Sequence, residues 1–413
     1  MKAQSGDNGK AANLQRFFAP EGAPDLCRAL AVRRSLLRWR LLSEFAAVNP
    51  ADETATFLIA EIQLLTPLSR HEVLGSPDCG VLVRGRMNGE ATPAADVAVL
   101  GDMASRRASS SQAASISVRG ELCLTRQPIG SWIVVGEGEP LRAVRLSVDG
   151  TVVEFTGTAP DNTRRVFRLA GSITAAHTTA RQATEGNIWE VTDDWQCYLD
   201  TFDDGNASLE FSDIERNALR DTLEHAAGLV RKIAPGMIGE MTETARYLSP
   251  IAPQRPDAGI PSFSSADYPG VIFVGTHNCR RRPVDWRHLV ESCVHEHLHN
   301  RLYLLETACP LTKPDGANDS TRTYYSPWKR QGRPIGGMMH AIYVFAHLAW
   351  FWDRVRQSDE SADLRDFAHD RCEEQREAVG IALQSIEGTE ELSAVGSEVI
   401  ASAGRLASQL EFV

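Results

Sequence analysis

His295, Glu296 and His299 form an H-E-x-x-H pattern, and of all the residues in this chain their types and spacing speak most directly of chemistry. An α-helix turns once every 3.6 residues, so side chains four apart stack on one face. Both imidazoles can then reach one metal ion, with Glu296 displaced around the helix from them. The pattern carries weight only inside a helix. The flanking residues predict one: Asp285 is a candidate N-cap, and Leu289, Val290, Val294, Leu298, Leu302 and Leu305 recur at helical spacing. Cys309-Pro310 must end it. Cys293 points to another side of this helix and reads as packing.

Two histidines hold a metal weakly, so a third ligand is required. The metzincin position, six residues after the second histidine, is Leu305, which excludes that class. A gluzincin needs a glutamate on a following helix, and none lies between Glu306 and Asp359. Glu306 shares the face of His299 but sits about 10 Å farther along, too far to share the ion. His340 is the best remaining ligand. It falls on a second predicted helix, Pro334 to about Arg356, with proline in the first turn where its missing N–H costs nothing. Gly336-Gly337, one turn earlier, leave room for a metal and for something bound to it. His347, two turns on, reads as a supporting or core residue, His297 as facing away, and His288 as two turns too early.

Other elements must position these residues. Leu26–Val48 and Thr54–Leu68 read as helices, and Val81-Leu82-Val83 as a short strand. Ala104–Ser117 is a Ser/Ala-rich linker. Short apolar runs between Ile116 and Leu199, punctuated by Gly, Pro, Asp and Asn, predict an antiparallel β-rich module with a tight turn at Asp149-Gly150. His71, His177 and Trp195 read as structural. Helix returns over Asp213–Ile233, capped by Ser212 or Asp213, and Val271–Val274 reads as a buried strand. Leu311–Arg333 is a polar loop, and Glu360–Leu410 is helical with Gly380 or Gly388 as a break. The expected class is α+β: an N-terminal helical region (1–115), a β-rich module suited to peptide recognition (116–205) and a helical catalytic domain (206–413).

Several stretches resemble the bacterial H-E-x-x-H proteins described as 2-oxoglutarate-dependent peptide β-hydroxylases, which tailor ribosomally made peptides. The likeness rests on P-G-V-I-F-V at Pro269–Val274, C-V-H-E-x-x-H-x-x-L at Cys293–Leu302 and S-P-W-K at Ser326–Lys329. Arg333-Pro334 and G-x-x-H-A-x-x-V-F at Gly337–Phe345 continue it. It covers about residues 265–355. Lys329 stands where arginine is more usual, and His347 is a further departure. The resemblance implies Fe(II), 2-oxoglutarate and O2 as cofactors and a precursor peptide as partner. Iron held by neutral His295, His299 and His340 would have its charge offset by the keto acid. The far carboxylate calls for a guanidinium, with Arg333 first choice and Arg322 second, assisted by a hydroxyl from Ser326 or Tyr325. Glu296 then orients water or substrate, holds a histidine, or replaces His340 as a ligand.

Two other readings compete with this one. In a zinc peptidase Glu296 would be the general base for metal-bound water. In a non-catalytic peptide binder the β-rich module would do the gripping. The formal charge of −11, from 43 basic and 54 acidic residues, argues against nucleic acid or anionic membrane as partner. Eight cysteines without a C-x-x-C pair, a polar start and no membrane-length apolar run fit reduced thiols and a cytoplasmic location. Nothing here sets the oligomeric state.

Overall fold

The computed structural model describes residues 15–90, the strands between 114 and 169, residues 188–191 and most of 206–410, leaving out 256–258 and 314–321 among others. Four helices come first: α1 (Pro24–Val48), α2 (Glu53–Leu64), α3 (Pro67–Gly75) and α4 (Pro77–Asn88). Asp52, Thr66 and Ser76 each accept a hydrogen bond from the backbone N–H three residues on, opening α2, α3 and α4. Pro67 and Pro77 sit in the first turns, where proline suits a helix start. These caps divide the helix expected over Thr54–Leu68. They also turn the expected strand Val81–Val83 into helix, because Cys79, Leu82, Val83 and Arg86 are buried at helical spacing.

The linker expected at Ala104–Ser117 lies outside the described residues up to 113, and its last four residues form β1 (Ala114–Ser117). Then come β2 (Leu122–Cys123), β3 (Gln127–Ile129), β4 (Trp132–Val134), β5 (Pro140–Asp149), β6 (Val152–Thr158) and β7 (Arg164–Leu169). They pair antiparallel in the order β1-β5-β6-β7, with β2 also on β5 and β3 with β4 as a separate hairpin. Asp149 pairs with Val152, and Gly150 of the turn expected at Asp149-Gly150 lies outside the described residues. His177 and Trp195 lie outside the described residues.

A mixed sheet follows, built from β8 (Glu190–Val191), β9 (Asn206–Ser208), β10 (Tyr247–Pro253), β11 (Ser262–Phe263) and β12 (Val271–Gly275). Its order is β11-β12-β10-β8, with β9 beside β10, and β10 and β12 run parallel. All five residues of β12 are buried, as a continuous apolar run requires. Between β9 and β10 lie α5 (Asp213–Ile233), opened by a capping box of Ser212 and Glu215, and α6 (Pro235–Thr244).

The C-terminal helices are α7 (Trp286–Glu306), α8 (Ile335–Arg356), α9 (Ala362–Ser385) and α10 (Ala394–Ser408). α7 starts as expected, with Asp285 accepting from the Arg287 N–H. The loop expected over Leu311–Arg333 contains a hairpin, β13 (Tyr324–Ser326) against β14 (Gln331–Arg333). α9 runs through Gly380, and the break falls at Gly388, which has a positive φ of 72°. Every residue of α8 from Met338 to Asp353 except Phe345 is buried, so this helix is the axis of the main core. Among the described residues the architecture is mainly helical with two five-stranded sheets and two two-stranded hairpins, of α+β type. Among the described residues, no helix is long and apolar enough to cross a membrane.

The N-terminal region is tied to this core by a close backbone approach. Gly22 has φ 98°, and a Cβ built at Gly236 would lie 2.4 Å from the Glu21 carbonyl oxygen. Gly236→Ala should therefore force the two backbones apart and cost about 1–3 kcal/mol. Urea unfolding measures it, and an unchanged midpoint would mean the contact yields without cost.

Candidate active site

α7 presents one stripe of polar side chains: His288, Ser292, His295, His299, Tyr303 and Glu306 recur every three or four residues, with Glu291 beside Ser292. α8 brings His340 and Phe345 to the same stripe. The His295 and His299 rings lie 4.8 Å apart, the His299 and His340 rings stack at 5.4 Å, and the Tyr303 ring lies 4.9 Å from that of His340. The three histidines singled out by sequence are therefore neighbours, although His340 is 41 residues beyond His299.

Their donor atoms are less uniformly arranged. His295 Nε2 and His299 Nε2 are 3.1 Å apart. Two imidazoles on one ion, each at about 2.0–2.1 Å, would be separated by about 2.9–3.4 Å, so this pair fits a metal. His340 instead faces His299 through Nδ1, 3.1 Å from the Nδ1 of His299. His299 thus uses one nitrogen toward each neighbour. Among the described residues, no three His, Cys, Asp or Glu side chains converge on a single point as a ready metal centre.

Electrostatics favours lone pairs over protons at this pair. Burial pulls His295 down to about 4, with Glu291 opposing and Lys329 assisting. Burial also holds His299 well below its ordinary value, reinforced by His295, His340 and Arg333. Both imidazoles are neutral at pH 7, as metal ligands must be. Glu296 behaves differently: burial raises its carboxyl to about 7, against hydrogen bonds from Ser264 and Ser262 that lower it. It is 1% exposed. Its Oε2 accepts from Ser264 Oγ at 2.7 Å, whereas Oε1 has no hydrogen-bond partner among the described residues and lies 3.8 Å from His295 Nε2.

Of the expected carboxylate-binding residues, Arg333 is beside the cluster. Its guanidinium lies over Gly337, where a Cβ would meet Nε and Nη2 at 3.2 Å. The space expected above Gly337 is therefore filled by this arginine, while a Cβ at Gly336 would meet nothing within 4 Å. The charge of Arg333 acts on both His299 and Tyr303. Arg322 is occupied elsewhere, 3.7 Å from Glu391 and over the Tyr324 ring. Tyr325 and Ser326 point to opposite sides of β13: Tyr325 is 52% exposed, while Ser326 is fully buried with a hydroxyl that has no partner among the described residues. The two cannot serve one carboxylate together.

His297, His347 and His71 are held in packing contacts away from the stripe. His297 is buried against Glu240 and Thr244. His347 is buried between the carbonyls of Tyr343 and Phe18. His71 meets the Ser35 hydroxyl at 2.9 Å. His288 sits at the outer end of the stripe.

Sequence reasoning missed three features. Tyr303 lies one turn beyond His299, and burial with nearby Glu296 and Glu306 pushes its hydroxyl up to about 12. Glu306 Oε1 lies 3.2 Å from His340 Nε2, so it touches a candidate ligand rather than the ion position. The third is a cleft of about 520 Å³ between α7 and α9. His288, Glu291, Ser292 and His295 form one wall, and Arg371, Glu374, Glu377 and Ile381 the other. Trp328 stacks on Phe345 at 4.4 Å, and Phe345 abuts His295 at 5.1 Å, closing its inner end. Helical spacing after His299 was signal enough for Tyr303. The cleft depends on α9, whose register no local pattern reveals.

No protein-family model matches the chain, and no curated protein matches it.

Proposed function

We propose that the chain is an Fe(II)- and 2-oxoglutarate-dependent hydroxylase acting on a side chain of a ribosomally made peptide. The observation that carries this reading is the 3.1 Å pair of neutral Nε2 atoms with the Arg333 guanidinium beside it. His295 and His299 would hold the metal, with His340 as third ligand. Arg333 would form a forked, charge-assisted contact with the far carboxylate of the keto acid. Bound iron and 2-oxoglutarate would supply the reduction of O2, one oxygen atom ending in succinate as CO2 leaves and the other replacing a C–H by C–OH on the peptide.

The chain's own residues divide the work by side. Arg333, Tyr303 and His340 occupy the inner flank of His299, where the keto acid would sit. The cleft reaches His295 from the outer flank, and a peptide segment would enter there along Trp328 and Phe345. Glu296 sits behind His295, poised near neutrality and pinned by Ser264. There it would hold a proton at Oε1 beside the ligand. The hydrolase reading asks Glu296 to face water, and its burial at 1% exposure weighs against that role.

The test is single-turnover assay of the purified protein with Fe(II), 2-oxoglutarate, O2 and a candidate precursor peptide. Succinate together with a peptide one oxygen atom heavier supports the reading. Peptide fragments formed with zinc, and no succinate with iron, would replace it with a peptidase. Arg333→Ala gives a second check: 2-oxoglutarate affinity should fall about 10–100-fold, the value of a charge-assisted contact, with iron content unchanged. Unaltered affinity would move the carboxylate seat elsewhere.

A further inference from the structure

β11 is an edge of the mixed sheet: among the described residues it pairs with β12 alone. The register sets Ser262 opposite Val274 and Phe263 opposite Phe273. Gly275 donates its N–H to the Pro261 carbonyl at 2.7 Å, so Pro261 and Gly275 stand at a hydrogen-bonded position of the ladder. Bonded and non-bonded positions alternate along an antiparallel pair, so the N–H and C=O of Ser262 point away from β12. Neither has a hydrogen-bond partner among the described residues. Pro261 lacks its N–H on the inner side, facing β12, and therefore does not blunt the outer edge.

This edge runs beside the candidate site. Ser262 and Ser264 both direct hydroxyls toward Glu296, Ser264 at 2.7 Å, which fixes β11 against α7. Phe263 turns to the opposite face and stacks on Phe273 at 4.6 Å. Ile260 and Ser262 line the same cleft of about 520 Å³ as Ser292 and His295. Its charged lining is Glu291, Glu374 and Glu377 against Arg330 and Arg371, and Arg371 is already held by Glu291 and Glu374. The cleft therefore combines a free strand edge with a surplus of carboxylates.

We propose that the outer edge of β11 seats an extended, basic peptide segment as an added antiparallel strand, with one peptide residue exchanging two main-chain hydrogen bonds with Ser262. The inference rests on the peptide-binding part of the function proposed above and needs no metal. Antiparallel pairing lets a single residue satisfy both groups of Ser262. The side chain of that residue shares the face of Ser262, toward α7 and the cleft, so a lysine there meets the carboxylates. Its neighbours turn to the other face, and their N–H groups point away from β11. Proline is excluded opposite Ser262, because the bond to the Ser262 carbonyl requires an N–H.

The probe is rhodamine-labelled acetyl-(Val-Lys)3-amide, titrated with metal-free protein and followed by fluorescence anisotropy. N-methylation of the lysine amides should weaken binding about 10-fold or more, the value of lost main-chain bonds, whereas methylation of the valine amides should change it less than about 3-fold. A slip of one residue would turn every lysine out of the cleft, so the two patterns are not interchangeable. Ser262→Pro removes the outward N–H and should weaken binding about 10-fold, while Ser262→Ala keeps it and should bind as the unaltered protein does. Equal effects of the two methylation patterns, equal binding by the two variants, or no binding of the unmodified probe would each overturn the proposal. If Ser262→Pro does not fold, the methylated probes on the unaltered protein decide. Probe binding in the expected pattern without succinate or an oxygenated peptide would end the hydroxylase and keep the seat. Hydroxylation of a precursor by Ser262→Pro at unchanged KM would end the seat and keep the hydroxylase.

Discussion

Replacing His299 with alanine should abolish retention of Fe(II) or Co(II) and, with it, any turnover. His299 is the middle of the cluster, touching His295 through Nε2 and His340 through Nδ1, each at 3.1 Å. Its loss removes one of the two donors already at metal-binding separation and also the ring against which His340 stacks. A single remaining imidazole with a displaced third one is a poor site for a borderline divalent ion. His295→Ala should come close in effect, since it removes the other half of the pair. His340→Ala should cost less, because the Nε2 pair survives and water or the keto acid can fill the vacated position. His288→Ala, at the exposed outer end of the same stripe, should keep its full metal content. Elemental analysis of the four purified variants checks this order. A His299→Ala protein with normal metal would place the ion elsewhere and end the account built on this cluster.

The H-E-x-x-H helix, its Asp285 cap and the α8 helix with His340 were legible because each is written in local spacing. Periodicity names the face, caps name the ends, and neither depends on a distant partner. The short hairpin of β13 and β14 was not legible. Its strands are three residues each, too few to show alternation, and Arg330 in the turn takes a positive φ of 53° that no glycine announces. Val81–Val83 shows the opposite failure: three consecutive apolar residues fit a strand or a helix equally, and the Ser76 cap decided for helix. Of the site itself, residue types and helix faces were readable. The nitrogen each histidine presents was not, since that depends on how α8 docks on α7. Glu306 shows why: spacing alone put it too far from the ion, and the structure turns that same distance into a contact behind His340.

Arg301→Met should be among the most destabilising substitutions in the chain, although it touches no residue of the proposed chemistry. Arg301 lies on the back of α7 with its side chain fully buried, as is that of Glu240, 3.3 Å away. Its guanidinium also donates to the carbonyls of Phe17 and Ala19 and covers the Phe17 ring. Glu240 in turn accepts from the Ala23 N–H at 2.6 Å and lies 3.2 Å from His297 Nε2. One ion pair therefore fastens the N-terminal segment to the rear of the helix that carries His295 and His299. Removing the cation leaves a carboxylate buried without its main counter-charge, which costs about 3–5 kcal/mol. Glu240→Gln should also destabilise, because it strands the guanidinium instead. The pH dependence separates the two. Burial alone would raise the Glu240 carboxyl, but Arg301 and His297 outweigh it and hold it near 2, below its ordinary 4.5. The carboxyl is depressed in the folded state, so its contribution is complete above pH 4.5 and drains away as pH falls toward 2. Urea midpoints measured from pH 7 down to pH 2.5 should fall less steeply for Glu240→Gln than for the unaltered protein, since the variant has no such carboxyl to protonate. Parallel pH curves for the two proteins would mean that Glu240 carries no charge in the fold. If Arg301→Met unfolds only the N-terminal segment while Co(II) binding persists, the clamp stabilises the chain without shaping the metal face of α7. If Co(II) binding is lost with it, the rear of the helix sets the geometry of its front.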